Sequence, residues 1–139
     1  MTENTFHLSF YASDRPFYEG DCISVVAPFP DGQYGIMAHH GNVMAAVVPG
    51  EVRFTAADGT VSVAAVSGGI LKMENNTVLL LVGTAERPDE IDANRARRAA
   101  DEAKEALLQK KSLTDYRAAQ ARLIREINRL RVKDHYTYN

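Results

Sequence analysis

The feature that most constrains this chain is a change of hydrophobic period at Pro88. Before it, apolar residues alternate with polar ones. Phe6, Leu8 and Phe10 fall on one side, and His7, Ser9 and Tyr11 on the other, which is the period of a half-buried strand. Ile23 and Val25 repeat the pattern before Pro28 ends it. Two hairpins are predicted, at Asp58-Gly59 and at Asn75-Asn76, because their tight turns need residues that tolerate positive φ. The run Val78 to Val82 reads as a buried strand. Turn residues recur at Pro16, Gly20, Pro30-Asp31-Gly32, Gly35, Pro49-Gly50 and Gly68-Gly69. Such spacing predicts an all-β sandwich or barrel over residues 1–87, with no helix in it.

After Pro88 the period becomes helical. Asp89 or Asp92 caps a first helix, on which Ala96, Ala99, Ala103, Ala106 and Leu107 share a face. Lys110 and Lys111 close it with the charge its C-terminal dipole favours. Ser112-Leu113-Thr114-Asp115 resembles a capping box and opens a second helix. Tyr116, Ala119, Gln120, Leu123, Ile127 and Leu130 make its stripe. The connection is short, so residues 88–139 form an antiparallel α-helical hairpin. Its first stripe is mostly alanine and buries little area, so the hairpin is expected to be marginal by itself and to dock or open.

Charge follows the same boundary. Residues 1–87 hold four Lys or Arg against nine Asp or Glu; residues 88–139 hold twelve against nine. The two parts are therefore expected to meet different partners. The mixed signs of the tail argue against a nucleic-acid arm. The single cysteine, Cys22, excludes an internal disulfide and suits a reducing compartment. No basic segment followed by an apolar one opens the chain as a secretory signal would, and the longest apolar run is too short to span a bilayer. His39-His40 point to opposite faces if extended and have no acidic or thiol neighbours at ligand spacing, so no metal is expected. Gly68-Gly69 lacks the context of a phosphate loop or nucleophile elbow, and no catalytic constellation is found.

Taken in order, these segments resemble the ε subunit of bacterial F-type ATP synthase. The resemblance rests on FHLSFYASDRPFYEGDCISVVAP, DGQYGIMAHH, VVPGEVRF, VSGGILKM, TVLLLVGTAER, EIDANRA and INRLRV, and it spans essentially the whole chain. His40 falls at the family's histidine. Ala38, His39 and Asn42 replace the Pro, Gly and later Pro that often surround it, and Gly83 stands where Asp is common. The resemblance implies a ten-stranded β-sandwich followed by a two-helix hairpin. It implies a non-catalytic rotor subunit at the cytoplasmic face of the cell membrane, peripheral to it, which couples proton flow to ATP synthesis. Its implied partners are the γ subunit, the membrane c-ring and, when the hairpin extends, the α/β catalytic head. There the helices would inhibit ATP hydrolysis. No cofactor is required, although in some members the folded hairpin binds ATP as a regulatory ligand.

Two groups of residues are candidates for contact. Folding the hairpin about residues 111–112 sets Arg125 and Arg129 opposite Asp92 and Arg95, beside the small Ala96. Three arginines there would hold a triphosphate through charge-assisted bonds. By the resemblance, Ile91 and Asp92 would meet the adenine. The competing reading is a plain helix start, with Asp92 capping and Arg95 paired to it. The second group is the apolar Phe29, Tyr34, Ile36 and Met37 with His40, which is either core edge or a surface for the c-ring or γ. Arg122 lies on a stripe that is either solvated or meets acidic surface on the catalytic head.

Overall fold

A computed structural model describes residues 4–109 and 112–136. They form two compact units, divided between Glu86 and Arg87. The predicted boundary at 87/88 and this division differ only in the place of Arg87. Lys110 and Lys111 lie outside the described residues.

The first unit is a β-sandwich whose described residues give nine strands. They are β1 (Phe6–Ala12), β2 (Arg15–Phe29), β3 (Gly32–Met37), β4 (Val43–Val47), β5 (Gly50–Ala56), β6 (Val61–Val66), β7 (Gly69–Glu74), β8 (Thr77–Val82) and β9 (Ala85–Glu86). The hydrogen-bonded order is β4-β7-β8-β1-β2-β5-β6-β9, with β3 also on β2. The long β2 pairs with three strands. Residues Arg15 to Cys22 pair with β1, and Ser24 to Phe29 pair with β3, while Cys22 to Val26 pair with β5. A register shift between Cys22 and Ser24 marks a bulge between the stretch paired with β1 and the stretch paired with β3. This bulge also breaks the alternation read from the sequence: Cys22 and Val25 are buried, but Ile23 is only half-buried.

In β1 the alternation follows the sequence. Phe6, Leu8 and Phe10 are buried, and β1 lies parallel to β8 between Thr77 and Val82. The rings of Phe10 and Phe17 lie 4.7 Å apart, and Phe54 meets Phe10 edge-on at 5.9 Å. β1, β2 and β5 are thereby joined through one aromatic cluster. The run Val78 to Val82 is corrected: Val78, Leu80 and Val82 are buried, but Leu81 points outward at 37% exposure. A continuous apolar sequence here serves two faces, only one of which is core.

Both predicted hairpins form. Gly59 has φ 92°, and Asn75 and Asn76 have φ 53° and 58°, as a two-residue turn closing Glu74 against Thr77 requires. Asn76 does more than turn the chain. Its side-chain Nδ2 donates to the Thr5 carbonyl at 2.9 Å, and its Oδ1 accepts from the His39 backbone N–H at 2.8 Å. Gly69 is required by close approach, because a Cβ there would run into the Leu81 carbonyl and the Val82 Cα.

The second unit opens with one 3-10 turn, Pro88–Glu90, whose Glu90 Oε1 accepts from the Arg87 N–H at 2.7 Å. Helix α1 (Ala93–Leu108) and helix α2 (Leu113–Tyr136) follow and pack on each other. Ser112 Oγ accepts from the Asp115 N–H at 3.0 Å, so the predicted cap of α2 is present. On α1 the buried residues are Ala96, Ala100 and Ala103; Ala100 was not in the predicted stripe, and Ala106 is exposed. On α2 the difference is larger. Ala119, Glu126, Asn128 and Val132 are buried, while Tyr116, Ile124 and Ile127 are exposed at 42%, 49% and 49%.

Candidate functional site

Asp92 is the N-cap of α1. Its Oδ1 accepts from the Arg95 backbone N–H at 3.1 Å, and that bond holds its carboxyl below the usual carboxylate range. Arg95 extends from the exposed first turn, Ala96 is fully buried behind it, and Ile91 is buried just before the cap. The cap that the plain structural reading required is therefore formed. One carboxylate oxygen of Asp92 is engaged by the backbone.

The register of the hairpin can be read from Arg122, whose Nη2 donates to Glu102 Oε1 at 2.9 Å. Stepping along both antiparallel helices from this pair brings residue 129 level with about 95, and 126 with about 98. The two ends that carry Asp92-Arg95 and Arg125-Arg129 are thus the same end of the hairpin. Glu126 lies between the two arginines of α2. Its Oε1 accepts from Arg129 Nη1 at 2.7 Å, and its Oε2 accepts from Arg125 Nε at 3.4 Å. The Glu126 side chain is 5% exposed, that of Arg129 20% and that of Arg125 48%. A buried carboxylate paired this way is costly to leave without its cations. Arg122, one turn before Glu126 on the same helix, pairs instead across the hairpin with Glu102.

In the β-unit, Phe29 and Ile36 are buried, and Tyr34 and Met37 are exposed at 48% and 59%. Phe29, Tyr34, Ile36 and His40 line one cleft of about 410 Å³ with Val43 and Ala45; Met37 is not among its walls. Tyr34 stacks near Phe29 at 5.3 Å and donates to Asp31 Oδ2 at 2.8 Å, which raises the phenol's pKa. The loop beyond is tied down. His40 N–H donates to the Met37 carbonyl at 3.3 Å, His40 Nδ1 lies 2.8 Å from the Gly41 carbonyl, and His39 sits at φ 64°. Among the described residues no group of three His, Cys, Asp or Glu is arranged to hold a metal.

The sequence reading missed a second apolar surface. On the outer face of the sheet, Ala46 of β4 is opposite Ile70 of β7, Ile70 is opposite Leu81 of β8, and Leu81 is opposite Tyr11 of β1. Ile70 and Leu81 are exposed at 43% and 37%, and Met44 stands beside them at 65%. Four adjacent strands thus present one apolar row to the outside. Strand alternation held the signal, because the chain neighbours of buried Leu71, Leu80 and Val82 must face the other way.

Comparison with known proteins brings the two units into one frame. Residues 5–88 match the family model for the ATP synthase delta/epsilon chain β-sandwich domain, and residues 89–134 match that for its long α-helix domain. The ATP synthase epsilon chain of Caldanaerobacter subterraneus subsp. tengcongensis is 36% identical over 134 residues, covering 96% of this chain and 97% of that one. The epsilon chain of Thioalkalivibrio sulfidiphilus is 37% identical over 129 residues, with 92% of each covered. The fold is similar to a chain of the Euglena gracilis mitochondrial ATP synthase OSCP/F1/c-ring assembly (TM-score 0.80, 16% identity, 96% of this chain and 82% of that one). It is also similar to a chain of the Tetrahymena thermophila mitochondrial ATP synthase central stalk and c-ring (TM-score 0.65, 12% identity, 91% and 95%).

Proposed function

The chain belongs to the ATP synthase delta/epsilon family as an epsilon-type, non-catalytic subunit, and from that premise we propose that it works in the rotor of a proton-translocating F-type enzyme. In this reading the β-unit is held against the γ subunit and the membrane c-ring, at the cytoplasmic face of the cell membrane. The helical unit extends toward the α/β catalytic head and inhibits ATP hydrolysis. No helix among the described residues is long and apolar enough to cross a membrane.

The observation that carries the reading is the exposed apolar row Ala46, Ile70, Leu81 and Tyr11, with Met44 beside it. An outward sheet face of this kind marks a protein contact. The cleft at Phe29, Tyr34 and His40 supplies a second contact, suited to the c-ring, with Met37 exposed nearby. Replacing Ile70 and Leu81 by Asp leaves the core untouched and puts charge into the contact. The double variant should fold, with unchanged β-signal in circular dichroism, yet fail to co-purify with γ. Full retention of γ would refute this placement of the contact.

A second reading concerns the hairpin as a nucleotide sensor, and the convergence of Asp92 and Arg95 with Arg125 and Arg129 at one end supports it. ATP would be held there by the three arginines beside the small Ala96, with Ile91 and Asp92 toward the base, and would favour the folded hairpin. Arg129→Ala should abolish ATP binding in a calorimetric titration of the whole chain.

A further inference from the structure

The most unusual group in the hairpin is Glu126, a buried carboxylate on α2, whose other buried residues are Ala119, Asn128 and Val132. Each of its oxygens accepts from a different arginine, Oε1 from Arg129 and Oε2 from Arg125. Two oxygens of one anionic group bridging two guanidinium groups is also how those side chains would hold a phosphate. We propose that Glu126 is an internal competitor for the nucleotide's phosphates: it occupies Arg125 and Arg129 in the folded hairpin and sets the affinity of the site.

This inference rests on the nucleotide reading of the same arginines. The physical argument is one of exchange. An incoming phosphate must displace at least one of the two Glu126 bonds. Once it has done so, a negative charge on the buried carboxylate faces a negative ligand. The wild-type site is therefore weakened twice, by occupied donors and by like charge. Removing the charge while keeping the shape relieves both. Glu102 provides the contrast. It pairs with Arg122 farther along the hairpin, on an exposed surface, and carries the same formal charge.

The test is calorimetric titration of the full chain with MgATP and, separately, with inorganic tripolyphosphate. The proteins are the wild type, Glu126→Gln, Glu126→Ala and Glu102→Gln. Glu126→Gln and Glu126→Ala should tighten both ligands by about ten-fold or more, the scale of one charge-assisted bond. Glu102→Gln should leave affinity nearly unchanged. If the wild type binds and both Glu126 variants bind equally or more weakly, the competitor is overturned while the nucleotide reading stands. If Glu102→Gln tightens binding as much, net charge is the cause and the inference again falls. No binding by any of the four at millimolar ligand removes the nucleotide reading and this inference with it.

Discussion

His39 holds a backbone conformation that its side chain disfavours. At φ 64° it lies in the left-handed region, where a Cβ crowds the following carbonyl. The resemblance to known ε subunits places glycine there, and the geometry gives the reason. Two bonds hold the strained loop: the Asn76 side chain takes the His39 N–H, and the Met37 carbonyl takes that of His40. His39→Gly should therefore stabilise the β-unit by about 0.5–1 kcal/mol, the relief of left-handed strain less the extra chain entropy of glycine. His39→Val, β-branched, should destabilise it. Urea midpoints of the two variants check the pair, and a loss of stability in the glycine variant would show that the imidazole is held by contacts stronger than the strain. Gly83 is explained by close approach rather than by φ. A Cβ there would meet Ser67 Oγ at 2.7 Å, and that hydroxyl accepts from the Thr84 N–H, so the small residue and the serine go together.

At the scale of elements, the sequence was clear where local chemistry decides and opaque where packing does. The turns at Gly59 and Asn75-Asn76 were readable because positive φ is a residue property. The bulge in β2 was not, because nothing in Cys22, Ile23 or Ser24 says which strand each half of β2 pairs with. The buried face of α2 was misread for the same reason. Ile127 is apolar and Glu126 is charged, so periodicity favoured Ile127. The hairpin buries Glu126 because paired arginines neutralise it, and that pairing is invisible to hydropathy. Capping was readable, and it carries a pH dependence. The carboxyl of Asp92 has its pKa lowered in the fold, first by the Arg95 N–H. Its contribution to α1 is therefore fully present above the unfolded value, about pH 4, and is lost as pH falls through the folded value. Helicity at 222 nm should drop on acidification in the wild type. In Asp92→Asn, whose amide caps without titrating, the drop should be smaller. Equal acid titrations of the two proteins would show that other carboxylates govern the hairpin.

The whole molecule divides its stability unevenly. Phe6, Phe10, Phe54, Leu8, Leu71, Met73 and Leu80, the largest fully buried side chains, all belong to the first unit. The hairpin's fully enclosed positions are mostly alanine, with Val132 its one large member in that set, and its exposed Tyr116, Ile124 and Ile127 leave apolar surface on α2 without cover in the isolated chain. Burial of small side chains contributes little, so the helices form a weakly cohesive unit beside a well-packed one. This asymmetry suits a subunit whose first part stays docked while its second part changes shape. Deleting residues 88–139 should then leave a folded β-unit that still joins the rotor, because none of its core is removed. Proton-driven ATP synthesis in the reconstituted enzyme should remain coupled, while ATP hydrolysis should rise severalfold as inhibition by the helices is lost. The two rates, measured on the same preparation, separate the roles. A rise in hydrolysis with coupling retained assigns inhibition to the hairpin and attachment to the sandwich. An unchanged hydrolysis rate would show that the tail does not inhibit, and a loss of coupling would show that the sandwich cannot hold the rotor by itself.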